Sequence, residues 1–401
     1  MLDHKRDVFL LWCCLMKLVA IKETALHEAR VALTPDIAKR YVQDGFHVTI
    51  QSGAGDVAGF TDAAYQKAGA SVVASAQEAL ADADLVLKVQ APNETEIGQM
   101  KAGAALVAML DPHRNAAVID ALAAKKITSF ALELVPRITR AQSMDVLSSQ
   151  ANLAGYRAVL EAANVYPHAF PMFMTAAGTI APARVFVMGA GVAGLQAIAT
   201  AKRLGAIVSA TDVRLAAKEQ VESLGASFVM VEDDEVKQAE TAGGYAREMS
   251  DAYKQKQAAL VAEHIQKQDI VICTALIPGR SAPVLVSEDM VKTMKAGSVI
   301  VDMAVSQGGN CPLSEMDKVV RKHDVTLVGY ANLPARIAAD ASALYAKNIQ
   351  NFMGLIIDQK GPLLQVNWDD EIVKASALTA NGKKIHPQFG GEAVQTNGEA
   401  A

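Results

Sequence analysis

The 401-residue chain is poor in aromatic residues, at 5%, and has four cysteines. Sparse aromatics beside abundant Ala and Val suit helices packed closely on parallel strands. The cysteines are Cys13, Cys14, Cys273 and Cys311. No pair has metal-ligand spacing, and adjacent Cys13 and Cys14 are badly placed to bond each other, so no metal and no disulfide framework is expected. Such usage fits a reducing compartment. Cys273, inside the apolar run 269–275, reads as a buried small hydrophobe. Blocks of Lys or Arg are also missing and the formal net charge is −5, which leaves no nucleic-acid footprint. No apolar run reaches the roughly 18–20 residues that a membrane helix needs. The run over residues 9–16 has only eight, too few for a bilayer and without a small-residue cleavage site. Residues 1–15 are therefore expected to be an unstructured extension ahead of a first domain that starts at Met16.

What the chain does have is alternation. Hydrophobic residues at 51% against 20% charged indicate a globular protein, and the length allows two or three domains. Residues 18–23 read as a strand. Thr34 and Pro35 supply an N-cap and a first-turn proline for a helix over 35–45. A second strand covers 47–53, and helical stretches fall near 62–68 and 76–83. Apolar strands follow at 85–90, 105–110 and 127–134, with a helix over 115–126 before the last. The polar segment 135–145 breaks the pattern, and a long helix runs over 148–164.

A second series opens at Ala183 with a buried strand, a glycine turn and a helix over 192–205 ending at Gly205. Further strands read at 207–212, 227–231, 269–275, 298–304 and 325–330. Residues 231–250 read as an acidic surface loop before a helix, and long loops in compact domains are often functional. A helix over 342–356 returns the chain to the first domain. Residues 363–387 read as a β-hairpin excursion turning at Asn381 and Gly382, and 391–401 as a disordered tail. The expected fold is α/β, with two Rossmann-like doubly wound parallel-sheet domains separated by a cleft. The first domain takes residues 16–144 plus about 340–390, and the nucleotide-binding domain takes 145–339.

The motif with the clearest chemistry is Gly189-Ala190-Gly191-Val192-Ala193-Gly194. It follows an apolar strand and opens a helix. Gly189 permits the tight turn, Gly191 lets a pyrophosphate approach the backbone, and Gly194 lets the helix pack on the sheet. The N–H groups at the helix start and the helix dipole favour phosphate. Asp212 ends the next strand, where a carboxylate can accept the hydroxyls of an adenosine ribose, which favours NAD(H). Arg214 stands two residues on and can take a 2′-phosphate, so NADP stays open on these residues alone.

Longer segments carry a family resemblance. Residues 136–158 (PRITRAQSMDVLSSQANLAGYRA), 188–208, 241–249 (TAGGYAREM), 274–285 (TALIPGRSAPVL) and 296–310 (AGSVIVDMAVSQGGN) closely resemble domain I, the NAD(H)-binding component of proton-translocating NAD(P) transhydrogenase. The resemblance covers roughly residues 16–390 and extends to a superfamily that includes alanine dehydrogenase. It implies that Arg137, Gln142, Asp145 and Ser148 face the nicotinamide end of NAD(H). Arg, Gln, Asp and Ser offer the paired donors and acceptors that a carboxamide and a ribose require. It also implies NAD(H) contacts from Val192, Ala193, Val213, Thr274, Ala275 and Leu276, and a mobile loop with Gly244 and Tyr245 at its tip. The implied partners are an NADP-binding subunit, a membrane-spanning subunit and a second copy of the chain. The implied location is the cytoplasmic face of the inner membrane, reached through those subunits.

Within the superfamily the chemistry separates two activities. An amino-acid dehydrogenase binds a carboxylate and moves a proton, so it needs a general acid/base. Direct transfer between two nicotinamides needs only alignment and exclusion of water. Arg30 and Lys88 match the carboxylate-binding positions of alanine dehydrogenase. Its catalytic histidine matches Met109 here, with His113 four residues away, and its acid near the nicotinamide matches Ser306. Both proton-handling groups are therefore expected to be absent. The sequence also leaves a binding module without a hydride partner as a third reading.

Overall fold

The computed structural model describes residues 16–231, 250–277, 279–358 and 361–392. These form two compact units. Unit one comprises the described residues through Gln150 and from Ile337 onward, and unit two is Ala151–Arg336. The expected extension 1–15 and all but two residues of the expected tail lie outside the described residues.

Unit one is built on eight strands: β1 (Lys17–Ala20), β2 (His47–Gln51), β3 (Ser71–Val73), β4 (Leu85–Leu87), β5 (Ala105–Ala108), β6 (Thr128–Ala131), β16 (Ala377–Ala380) and β17 (Lys383–Lys384). Their order is β17-β16-β6-β5-β4-β1-β2-β3. The six strands β1–β6 are parallel, with Leu18 opposite both Val48 and Leu85. The central strands β4 and β5 are short and apolar throughout because both faces are covered, whereas β3, at the edge, is partly exposed. Leu18, Leu85, Leu87 and Val107 enter one core, while Val19, Val86 and Leu106 enter the other. The helix Pro35–Gln43 does begin at its proline, but the Thr34 side chain makes no capping bond.

Unit two carries β9 (Arg184–Met188), β10 (Ile207–Thr211), β11 (Ser227–Phe228), β12 (Ile270–Cys273), β13 (Val299–Asp302), β14 (Val319–Lys322) and β15 (Val325–Val328). Their order is β11-β10-β9-β12-β13-β15-β14. A hairpin of β7 (Phe173–Thr175) and β8 (Gly178–Ile180) stands apart from that sheet. Residues again alternate between two cores, with Val185, Val187 and Ile272 on one face and Phe186, Val271 and Ile300 on the other. From β9 the chain goes first to one side, through β10, and later to the other, through β12. The C-terminal end of β9 is thus the topological switch point where such sheets bind ligands.

Two α/β units with mainly parallel sheets are as expected, each sheet also carrying a strand antiparallel to its neighbours, β14 in one and β16 in the other. Several local expectations need correction. The C-terminal hairpin is no excursion. Its turn has left-handed Asn381 and Gly382 (φ 49° and 80°), and its strand β16 pairs with β6 and is fully buried. The strand expected at 227–231 stops at Phe228, since the Val231 N–H leaves the ladder for the Gln257 side chain. The first boundary lies after Gln150, not after 144. Ser149 donates to Asn348 at 2.7 Å, and Gln150 accepts from Arg30 at 2.8 Å and donates to Ala341 O at 3.1 Å. These bonds hold the first turn of the helix Val146–Val165 to unit one. On the return, unit one resumes at Ile337, next to the expected start at about 340.

Candidate functional site

In unit two the glycine turn joins β9 to the helix Val192–Arg203. Gly189 has φ +104°, and a Cβ there would lie 2.4 Å from Thr274 Oγ1. A Cβ on Gly194 would lie 1.8 Å from the Gly189 carbonyl oxygen, so the helix packs on the turn only because residue 194 is glycine. Gly191 differs: it is the N-cap, and nothing lies within 4 Å of where its Cβ would be. The first helical bond closes from Leu195 N–H to Gly191 O, so the N–H groups ahead of Leu195 have no carbonyl of their own helix to meet. The turn offers donors beside open space.

Asp212 follows β10, the neighbour of β9. Its Oδ2 accepts the Ala190 N–H at 2.7 Å, and its Oδ1 accepts the Arg214 N–H at 2.8 Å and Nε–H at 2.9 Å. Burial alone would raise this carboxyl, but the Arg214 guanidinium and the two backbone donors outweigh it and hold the pKa below the usual range. Arg214 is thereby committed to Asp212. Thr274, after β12, donates Oγ1–H to Gly189 O at 3.0 Å. Thr274 and Ala275 are half-buried, whereas Val192, Val213 and Leu276 present exposed apolar side chains on the segments that follow β9, β10 and β12. Gly244 and Tyr245 lie outside the described residues.

One residue that supports this turn was not singled out in the sequence. A Cβ on Gly155, inside the helix Val146–Val165, would lie 2.0 Å from Ala193 O. Its interior place in a long helix, where glycine is costly, is the signal that could have found it.

In unit one the segment read as polar and irregular winds into a 3₁₀ helix, Thr139–Met144, ahead of the long helix. It encloses a concavity of about 330 Å³ lined by Pro136, Arg137, Ile138, Thr139, Ala141, Gln142, Asp145 and Ser148. The four residues expected to act there, Arg137, Gln142, Asp145 and Ser148, thus share one hollow. Asp145 also holds the start of the helix, accepting the Ser148 N–H at 2.8 Å and its hydroxyl at 2.5 Å.

Arg30 and Lys88 lie deep in unit one, at 3% and 1% exposure. Each already has carboxylate partners. Arg30 grips Glu28 with Nε and Nη2, and Lys88 Nζ is 3.0 Å from Glu23 and 3.4 Å from Glu96. Burial raises the Glu23 pKa despite Lys88, while Arg30 and Gln90 hold Glu28 low against the same burial. Met109 packs against the unit-one core, and a thioether there carries no proton. Ser306 sits in the short turn Val305–Gln307. Sequence reading missed Glu133. Its Oε1 accepts the Leu110 N–H at 2.8 Å and the Asp111 N–H, its Oε2 is buried without a partner, and burial pushes its pKa up to about 7. Among the described residues no cluster of His, Cys, Asp and Glu could hold a metal, and no helix is long and apolar enough to cross a membrane.

The sequence matches two family models, Alanine dehydrogenase/PNT, N-terminal domain, over residues 19–154, and Alanine dehydrogenase/PNT, C-terminal domain, over 158–387. The chain belongs to the alanine dehydrogenase/PNT family. Within the family it is 53% identical to the first part of NAD(P) transhydrogenase subunit alpha of Rhodospirillum rubrum, over 94% of this chain and 100% of that protein. It is 32% identical to alanine dehydrogenase of Mycobacterium tuberculosis, over 79% of this chain and 80% of that one. The solved transhydrogenase of Sinorhizobium meliloti superposes with a TM-score of 0.81 at 50% identity, covering 93% of this chain and 100% of that one.

Proposed function

We propose that this chain is the NAD(H)-binding subunit of a proton-translocating NAD(P) transhydrogenase. Hydride would pass directly from NADH to NADP⁺ held on a partner subunit, with proton movement assigned to a membrane-spanning subunit. The observation that carries the reading is the glycine turn tied to Asp212. Donors at a helix start face open space at Gly191, a buried ionised carboxylate stands beside them, and the nearest arginine is already paired. That chemistry suits the pyrophosphate and free ribose hydroxyls of NAD(H). Exposed Val192, Val213 and Leu276 offer apolar cover for a base. When bound, NADH supplies the hydride, two electrons and one proton together. The protein then has to orient it and exclude water, without taking up a proton.

Arg137, Gln142, Asp145 and Ser148, gathered in one hollow, supply the donors and acceptors that a carboxamide and ribose require. Met109, which the resemblance matches to the dehydrogenase's catalytic histidine, favours direct transfer over amino-acid oxidation, because a thioether packed on the core cannot serve as a general acid/base. We further propose a homodimer held at the cytoplasmic face of the inner membrane through the other subunits. The alternative, an alanine-type dehydrogenase, draws support from Arg30 and Lys88 and from the 32% identical relative.

The deciding experiment follows hydride transfer from NADH to an NADP analogue. The purified chain is assayed alone and with an NADP-binding transhydrogenase component, and alanine with NAD⁺ is assayed in parallel. Turnover only with the added component is expected. Alanine oxidation by the chain alone would overturn the proposal.

A further inference from the structure

The segment after β12, residues 274–277 and 279–286, carries three of the candidate nucleotide contacts but forms no helix or strand. Its backbone groups therefore need partners from elsewhere, and the loop after β13 provides them. Asn310, fully buried, donates both amide hydrogens, to Ala275 O at 2.9 Å and Pro283 O at 2.8 Å. The Gln307 amide faces two further carbonyls of the segment, Ile277 O at 3.2 Å and Arg280 O at 3.1 Å, and is assigned with its nitrogen on that side, because only then can it donate to both. The backbone adds to this: Gln307 O accepts the Ala282 N–H, and Asn310 O accepts the Leu285 and Val286 N–H groups.

The loop that makes these bonds is itself held. Between the two amides stand Gly308 and Gly309 at φ +97° and +82°, a left-handed pair that side chains resist. Buried Asp302 accepts the N–H groups of Ala304, Asn310 and Cys311 at 3.0–3.1 Å. An irregular stretch with four carbonyls bridged in pairs by two amides has been given a fixed shape.

We propose that Gln307 and Asn310 are positioning residues for the nucleotide site, holding the segment that presents Thr274, Ala275 and Leu276. This rests on the NAD(H)-binding reading. Arg280 is exposed in the same segment, so trypsin reports on its shape independently of any nucleotide. The full chain is made as Gln307→Leu and Asn310→Asp. The second replaces a double donor with acceptors that face two carbonyls. In the folded variants, cleavage after Arg280 should accelerate and the Kd for NADH should rise, each by about tenfold, the effect of one to two hydrogen bonds. Saturating NADH should slow the added cleavage. Gln307 is only half-buried, so its variant carries the test if the Asn310 variant fails to fold.

A role confined to fold stability would lower the melting temperature but leave both readouts at wild-type values. That result overturns the proposal. Failure of the wild-type chain to bind NADH would instead overturn the nucleotide reading, and faster cleavage in the nucleotide-free variants would still establish the staple.

Discussion

Asp212 and Ala190 are bound to each other: the carboxylate that ends one strand accepts, at 2.7 Å, the N–H inside the glycine turn that ends its neighbour. The same carboxylate occupies Arg214. Asp212 therefore both shapes the turn and neutralises the nearest cation. Replacing it with alanine should weaken NADH binding by about 10- to 100-fold, the equivalent of one or two charged hydrogen bonds. It should also release Arg214 toward a 2′-phosphate, so the loss for NADPH should be smaller. Fluorescence titration with both nucleotides checks this, and equal losses would refute the assignment of Arg214.

The glycines of the motif should separate fold from binding. Gly194→Ala sets a methyl against the Gly189 carbonyl, at an initial 1.8 Å, and should destabilise the protein by about 1–3 kcal/mol through overpacking. Gly191→Ala meets nothing within 4 Å, and its φ of −74° suits alanine. It should unfold within about 0.5 kcal/mol of wild type while losing NADH affinity, because the methyl takes space required by phosphate. Urea unfolding and NADH titration of both variants distinguish the two roles.

What the sequence made legible depended on how local each signal was. Strands β4, β5, β9, β12 and β13 are continuous apolar runs because both faces are buried, and they could be read directly. Strand β14 could not: its VVRK is an exposed edge, and charged edge strands blur the alternation that marks a strand. The glycine turn and Asp212 were readable because strand, turn, helix and acid follow one another at short range. Arg137, Gln142, Asp145 and Ser148 were readable only through family resemblance, since their polarity alone fits a linker. Glu133, Asn310 and Gly155 were missed because each acts on backbone far along the chain, with Glu133 bound to residues 22 and 23 positions away.

Glu133 should leave a signature in the pH dependence of stability. Its pKa rises from 4.5 to about 7 on folding, so between those values the folded state holds a proton that the unfolded state has released. Its contribution is complete below the unfolded pKa and is lost as pH rises through about 7, amounting to about 3 kcal/mol at 1.36 kcal/mol per unit. Glu133→Gln keeps an oxygen for the Leu110 and Asp111 N–H groups and cannot ionise. Denaturant unfolding at pH 5 and pH 8 should therefore show a smaller difference for this variant than for wild type, by about that amount. An unchanged difference would mean that the buried carboxyl titrates normally.

Asp145 has two separable duties. As a cap it accepts the Ser148 N–H, and as a charge it stands in the hollow with Arg137 and Gln142. Asp145→Ala removes both duties and should cost about 1 kcal/mol of stability, the usual value of a helix cap, together with most of the hydride transfer. Asp145→Asn keeps an oxygen for the cap, and the Ser148 hydroxyl can reverse to accept from the new amide, so its melting temperature should match wild type. If the negative charge orients the nicotinamide end, hydride transfer in the reconstituted enzyme should still fall by about 10- to 100-fold, the range for losing a charged hydrogen bond. Full activity in the asparagine variant, with loss only in the alanine variant, would reduce Asp145 to a helix cap and leave Arg137, Gln142 and Ser148 as the polar groups of that hollow with a role in the chemistry.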